Sequence, residues 1–272
     1  LIMLMRVNGN GQNTSDGFGL GYGGHFYGWG NQDWYWDIPN LPSGTSANWR
    51  LGTSLSGTNL IIAEYSKTAG RKTIWKNGSS ATTTSGTLNS LGIAEFKFPG
   101  YDKWGTGRYY DITLGEMIYV RGTMTTSARQ KLEGYLAHKW GIDLPSTHTW
   151  ASSSPYSDIK NGADLTLYWG SSDGGENENS WENAVSLGKK SSPLAVWFDA
   201  SDLDGDGTVD TNASGDITVW KDKSGNNRHA TGGGNAPFLN SAGGPNGKQV
   251  IEQRSGEYLN VSGSFFAKDH FY

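Results

Sequence analysis

Between Gly115 and Leu144 the apolar pattern changes its period. Met117, Tyr119 and Arg121 alternate with Ile118, Val120 and Gly122, which predicts a strand. Leu132, Tyr135, Leu136 and Trp140 then recur at helical spacing, which predicts a helix over residues 127–140 with one apolar face. Thr125 or Ser127 can cap its start, and Gln130 stands at capping-box spacing from Ser127. Gly141 and Pro145 stop it. Residues 1–7 read as an apolar strand, and residues 60–65, 71–76 and 92–98 as further strands. Asn77-Gly78 is the strongest hairpin signal in the chain. In the aromatic stretch 18–36 and just beyond it, Trp34, Trp36 and Ile38 fall on one face of a strand, Tyr35 and Asp37 on the other. Glycines interrupt this stretch as they do at bulges and close strand approaches, so a sandwich core is the expectation. The alternative is an aromatic platform for sugars, with Trp29, Trp34 and Tyr35 as its stacking residues. Residues 146–157 read as a Ser/Thr/Pro linker.

Composition narrows this picture. The 272 residues suffice for one large β domain or two smaller ones. Forty glycines among 12 Trp and 13 Tyr suggest short aromatic strands joined by many turns, hence an all-β sandwich. Only 18% of residues are charged and the net charge is −4, so nothing electrostatic favours nucleic acid or an anionic membrane. There is no cysteine, which excludes disulfides, thiolate metal sites and thiol catalysis. The opening run LIMLM ends at Arg6, far short of a membrane span, and no signal peptide is visible. With no initiator Met, the chain is expected to be an excerpt of a longer product.

Several segments together resemble a known family. GEMIYV and EGYLAHKWG look like the closing strand and final helix of a laminin-G-like jelly roll of the concanavalin A-like class, as found in large bacterial surface proteins. RKTIWKNGSSA is similar to a hairpin of the same jelly rolls. LAVWFDASD, DLDGDG and WKDKSGNNRHA resemble the opening of such a domain. The resemblance covers both ends of the chain, with the family's start placed after its end. It implies an antiparallel jelly-roll sandwich with one C-terminal-type helix, circularly permuted or completed between copies. Residues 1–150 would be the C-terminal two-thirds and residues 193–272 the N-terminal third. Residues 151–192 would be a linker, in which 163–188 resembles the front of a fibronectin type III-like module.

Residues 193–272 followed by 1–150 make a unit of about 230 residues, a sensible size for one jelly roll. Across the junction, Phe271, Leu1, Met3, Met5 and Val7 share one parity, and Tyr272, Ile2, Leu4 and Arg6 the other. Joined, they form a strand of about ten residues, roughly 33 Å long. Both its faces are apolar, so it should be covered twice, by the opposite sheet and by the helix. Self-closure, a head-to-tail swap and a tandem array all satisfy this. The last two give open polymers and are the favoured expectation.

Candidate chemistry is sparse. Asp202, Asp204, Asp206, Thr208 and Asp210 alternate as Ca²⁺-loop ligands do, with Gly207 at the sixth position and Thr208 offering its carbonyl. Ala213 stands where an EF-hand has its bidentate acid, so Asp199 or Asp216 would complete the shell. No paired strand carboxylates, HExxH, GxSxG or phosphate loop occurs, so no catalytic residue is assigned. Glu176, Glu178 and Glu182 read as a solvent-facing acidic turn. His138 and Lys139 read as surface groups beside a buried Trp140. The expectation is a non-catalytic extracellular unit that binds Ca²⁺ and joins head to tail in a surface filament or tandem adhesin. The alternative is a glycan-binding module.

Overall fold

The structure, a computed structural model, describes residues 2–7, 17–19, 25–29, 33–37, 57–66, 71–85, 96–98, 112–120, 124–155, 194–206, 215–232, 235–253 and 257–261. These residues form two antiparallel sheets and one helix. The first sheet holds β1 (Ile2–Val7), β5 (Thr58–Ser66), β6 (Arg71–Lys76), β7 (Ser79–Ser85), β9 (Ile112–Val120), β10 (Leu194–Asp199), β11 (Gly215–Asp216), β14 (Phe238–Asn240) and β15 (Val250–Gln253). Its order is β11-β14-β15-β9-β1-β5-β6-β7, with β10 also paired to β9. The second holds β2 (Gly17–Gly19), β3 (His25–Trp29), β4 (Asp33–Asp37), β8 (Phe96–Phe98), β12 (Val219–Trp220), β13 (Ala230–Gly232) and β16 (Leu259–Val261) in the order β12-β13-β16-β8-β2-β3-β4.

In each sheet the strands from the two ends of the chain form adjoining blocks. β9 pairs with β1 along one side, and on the other with β10 at one end and β15 at the other. In the second sheet β16 pairs with β8, which in turn meets β2. Two apolar clusters follow. Met3, Met5, Ile61, Ile112, Leu114, Met117 and Phe198 of the first sheet meet Trp220, Ala230, Leu259 and Val261 between the sheets. On the outer face of the first sheet, Ile2, Leu4, Leu60, Ile62 and Ile118 meet Leu132, Tyr135, Leu136 and Trp140 of helix α1 (Thr126–Trp140). Strand β1 is therefore covered on both faces, which is why it carries no polar residue before Arg6.

One residue resets the parity of β9. Ile112 and Leu114 belong to the inter-sheet cluster, whereas Ile118 and Val120 belong to the cluster under the helix. Such a switch needs one extra residue. The pairing runs Leu4 to Glu116 but Met5 to Leu114, so Gly115 is that bulge. A Cβ on Gly115 would lie 2.7 Å from Leu4 Cδ2 and 2.9 Å from Trp140 Cη2, so a side chain does not fit. The bulge turns Glu116 away from the space between the sheets and places it beneath the helix.

Several local expectations are refined. Thr125 is the N-cap, its side chain accepting from Ala128 N at 3.1 Å, and Ser127 lies exposed within the helix. Gly141 ends α1 in the left-handed region at φ 67°, as its position after the last apolar residue requires. Asn77 and Gly78 have φ of 49° and 77°, both positive as a two-residue hairpin loop demands, and Asn77 Oδ1 also accepts from Leu60 N at 2.8 Å.

Residues 146–155 are not a free linker. His148 is buried, with Nε2 3.0 Å from Glu133 Oε2, and a Cβ on Gly134 would strike Trp150 at 2.6 Å. The Ser/Thr/Pro composition concealed one imidazole that matches a buried carboxylate on α1. The proposed ribbon 163–188 and the seam residues Leu1, Phe271 and Tyr272 lie outside the described residues.

Candidate functional site

Strand register brings two acids together. Asp199, the last residue of β10, is the direct partner of Glu116 on β9. Cross-strand partners share a face, so two carboxylates stand side by side, an arrangement that repels unless a cation intervenes. Lys139 supplies it. This residue lies seven after Leu132 and four after Tyr135, on the inner face of α1. Its Nζ donates to Glu116 Oε2 at 2.8 Å and to Asp199 Oδ2 at 2.7 Å. The expectation of a surface lysine is thus corrected. A lysine prefers water unless paired, and here two acids outweigh that preference.

The surroundings hold each group in place. Glu116 Oε1 accepts from Trp197 Nε1 at 2.8 Å, and Oε2 accepts from Trp140 Nε1 at 2.9 Å. Asp199 Oδ1 accepts from the Ser201 hydroxyl at 2.6 Å and from Ser201 N at 3.0 Å. The rings of Tyr135 and Trp140 stand 5.7 and 5.5 Å from Lys139 Nζ. The side chains of Glu116 and Asp199 are 1% exposed and that of Lys139 12%, so the cluster is screened from water.

Protonation follows from this geometry. Burial pushes the Glu116 carboxyl up, and although Lys139 draws it back, the net direction is upward. Burial also pushes Asp199 up, but Lys139, Lys223 and the Ser201 hydrogen bond outweigh it and hold Asp199 down at about 2. Burial lowers Lys139, yet the two carboxylates outweigh it and hold the ammonium well above its ordinary range. Burial, and then the Glu116 charge, pushes the Tyr135 phenol upward, so it stays neutral.

A second lysine links the cluster to the predicted Ca²⁺ loop. Lys223 Nζ lies 3.3 Å from Asp199 Oδ2 and 2.5 Å from Asp202 Oδ2, above the Trp197 ring. Asp202 is buried, while Asp204 and Asp206 are exposed. Carboxylate oxygens of these three lie within 4.8 Å of one another, so they can hold a metal ion. All-oxygen donors suit a hard cation, and the Lys223 ammonium would compete with it for Asp202.

Asp199 and Asp216 do not join this group of three, contrary to expectation. Asp199 spends its oxygens on Lys139, Lys223 and Ser201, and Asp216 is exposed on β11, paired with Phe238. Thr208 and Asp210 lie outside the described residues, as do Glu176, Glu178 and Glu182.

The aromatic candidates fall on one hairpin. Trp29 is paired with Asp33, Gly28 with Trp34 and Tyr27 with Tyr35 across β3 and β4. The seam residues Ile2, Met3, Leu4 and Met5 are buried within β1. No helix among the described residues is long and apolar enough to cross a membrane.

A further buried group sits on the same helix. Glu133, fully buried, accepts from Arg129 at 2.6 and 2.7 Å and contacts His148. Neither Glu116 nor Glu133 belongs to a catalytic or metal-ligating sequence motif; the signal for each is that it interrupts an otherwise apolar face, the mark of a paired buried acid. Comparison of the chain with family models, with curated proteins and with solved structures gives no match.

Proposed function

We propose that the chain is a non-catalytic structural or adhesive repeat unit of an extracellular surface protein, a laminin-G-like jelly roll whose sequence is read from its closing portion to its opening one. The observation that carries this reading is the pairing of β10 and β15 with β9, and of β16 with β8. Segments that resemble the start and the end of one domain contribute neighbouring strands to the same two sheets. On this reading the domain comprises residues 193–272 and 1–150, and 151–192 connects units. The apolar β1 continues toward the C-terminal residues 271 and 272, either of its own chain or of the next copy in a head-to-tail filament or tandem array. Main-chain pairing along such a strand gives a strong, directional junction.

Calcium belongs to the same reading, held by Asp202, Asp204 and Asp206 with Thr208 and Asp210 completing the loop. A hard dication there would draw Asp202 from Lys223 and tie the loop to the sheet. Sedimentation velocity over a range of concentrations tests the assembly. Species growing with concentration are expected, and a monomer at every concentration would remove head-to-tail joining. Calorimetric titration with Ca²⁺ is expected to show one site, lost in Asp204→Asn/Asp206→Asn; no heat in the unaltered chain would remove the metal.

The second reading is a glycan-binding module. It is favoured by Trp29 and Tyr35, which share one parity near the turn of the β3–β4 hairpin, Trp34 having the other. A glycan array that stays blank would dismiss it.

A further inference from the structure

We propose that Lys139 and Asp199 condense into an amide bond between their side chains, with Glu116 as the general base and acid, so that helix α1 and strand β10 become covalently joined. The proposal does not depend on the function proposed above.

The geometry is that of two reactants held together. Lys139 Nζ is 2.7 Å from Asp199 Oδ2. With Nζ that close to Oδ2, Cγ lies no more than about 4 Å from Nζ, near the separation of a near-attack arrangement. Ser201 fixes the other oxygen of Asp199 through its hydroxyl and its backbone N–H. These two donors also face the oxygen on which negative charge grows when the carbonyl carbon becomes tetrahedral. Glu116 touches the nucleophile at 2.8 Å, and two indole N–H groups orient it. The rings around the cluster keep out the water that would favour separate ions.

The charge inventory also favours the step. Three carboxylates, Glu116, Asp199 and Asp202, face two lysines, Lys139 and Lys223. Glu116 Oε2, 2.8 Å from Nζ, takes a proton from Lys139 and hands it to Asp199 Oδ2, which the same Nζ touches at 2.7 Å. The freed amine attacks Cγ of the now neutral Asp199 carboxyl and forms the C–N bond. The Cγ–Oδ2 bond breaks, and the oxygen leaves as water with two protons that began on the ammonium, at least one delivered by Glu116. One ammonium and one carboxylate become one neutral amide and one water, and Glu116 is restored. No oxidant, metal or cofactor enters the balance. The reaction removes a buried charge pair, whose desolvation opposes folding, and leaves an amide that requires only hydrogen bonds.

Lys139 rather than Lys223 is the nucleophile. Lys223 stands farther from Asp199, at 3.3 Å, and is held by Asp202 at 2.5 Å.

Intact mass under denaturing conditions tests the proposal on the unaltered chain after it has folded. The expected mass is one water below that of the sequence, and digestion should yield a branched peptide joining residues 139 and 199. Lys139→Arg, Asp199→Ala and Glu116→Gln should each carry their full sequence mass, while Lys223→Arg should still lose water. A full-mass unaltered chain overturns the proposal. So does a branch at Lys223, or a water loss traced to a linear succinimide at an Asp-Gly pair. Condensation that persists in Glu116→Gln overturns the assigned role of Glu116. Because the mass and peptide map of the unaltered chain decide the bond, a variant that fails to fold does not shelter it.

Discussion

Gly115→Ala tests whether the bulge in β9 is what places Glu116. The added Cβ would lie 2.7 Å from Leu4 Cδ2 and 2.9 and 3.0 Å from Trp140 Cη2 and Cζ3, where carbon contacts normally settle near 3.5–4.0 Å. Neither neighbour has room to withdraw. Leu4 is 1% exposed between β5, β9 and the helix, and Trp140 is fully buried. Overpacking of this kind costs about 1–3 kcal/mol. Moving the Trp140 ring also weakens its 2.9 Å hydrogen bond to Glu116, a further ~1.5–3 kcal/mol for a bond to a buried charged group. The total is about 2.5–6 kcal/mol. At roughly 2–4 °C per kcal/mol for a chain this long, the melting temperature should fall on the order of 10 °C. Gly57→Ala is the comparison. Gly57 has φ 76° but nothing within 4 Å of a Cβ, so only backbone strain of about 1–2 kcal/mol applies. Urea unfolding followed by tryptophan fluorescence measures both. If Gly115→Ala unfolds at the wild-type midpoint, or Gly57→Ala costs more, the parity argument fails.

Three further outcomes are expected. Glu116→Gln keeps Lys139 and Asp199 as an ion pair, and so keeps the Lys139 and Lys223 charges that hold Asp199 down at about 2 in the unaltered chain. A depressed acid stabilises the fold above its unfolded pKa, so this contribution should be present at neutral pH and fade from about pH 4 down to pH 2; an acid limb in unfolding experiments that is flat across that range would contradict it. Arg129→Met leaves the buried Glu133 with His148 alone and should cost about 3–5 kcal/mol, whereas Arg129→Met/Glu133→Met should recover most of that; equal losses in the two variants by urea unfolding would refute the pairing. Asn77→Ala removes the acceptor for Leu60 N and strains a residue at φ 49°, so a loss of about 1–3 kcal/mol is expected, and Asn77→Gly should lose less; the reverse order of midpoints would count against the turn geometry.

Much of the fold is legible along the chain because local chemistry repeats with a local period. Unbroken apolar runs mark β1 and β5, alternation marks the end of β9, Asn77-Gly78 marks the hairpin, and the spacing of Leu132, Leu136 and Trp140 marks the helix and its buried face. The two-sided apolarity of residues 2–5 even foretells that a helix covers one side of the sheet. The loop Asp202–Asp206 is likewise readable, since its ligands are close in sequence. The Glu116–Lys139–Asp199 cluster is not. Its members are up to 83 residues apart along the chain, and by composition each is an ordinary charged residue. They meet only because β10 pairs beside β9 in one register, a glycine bulge turns Glu116 outward, and α1 lays Lys139 across the gap. The sequence by itself determines which segments become strands and which becomes the helix. Tertiary structure alone decides which charges lose their water together, because desolvation depends on neighbours in space that no local pattern encodes.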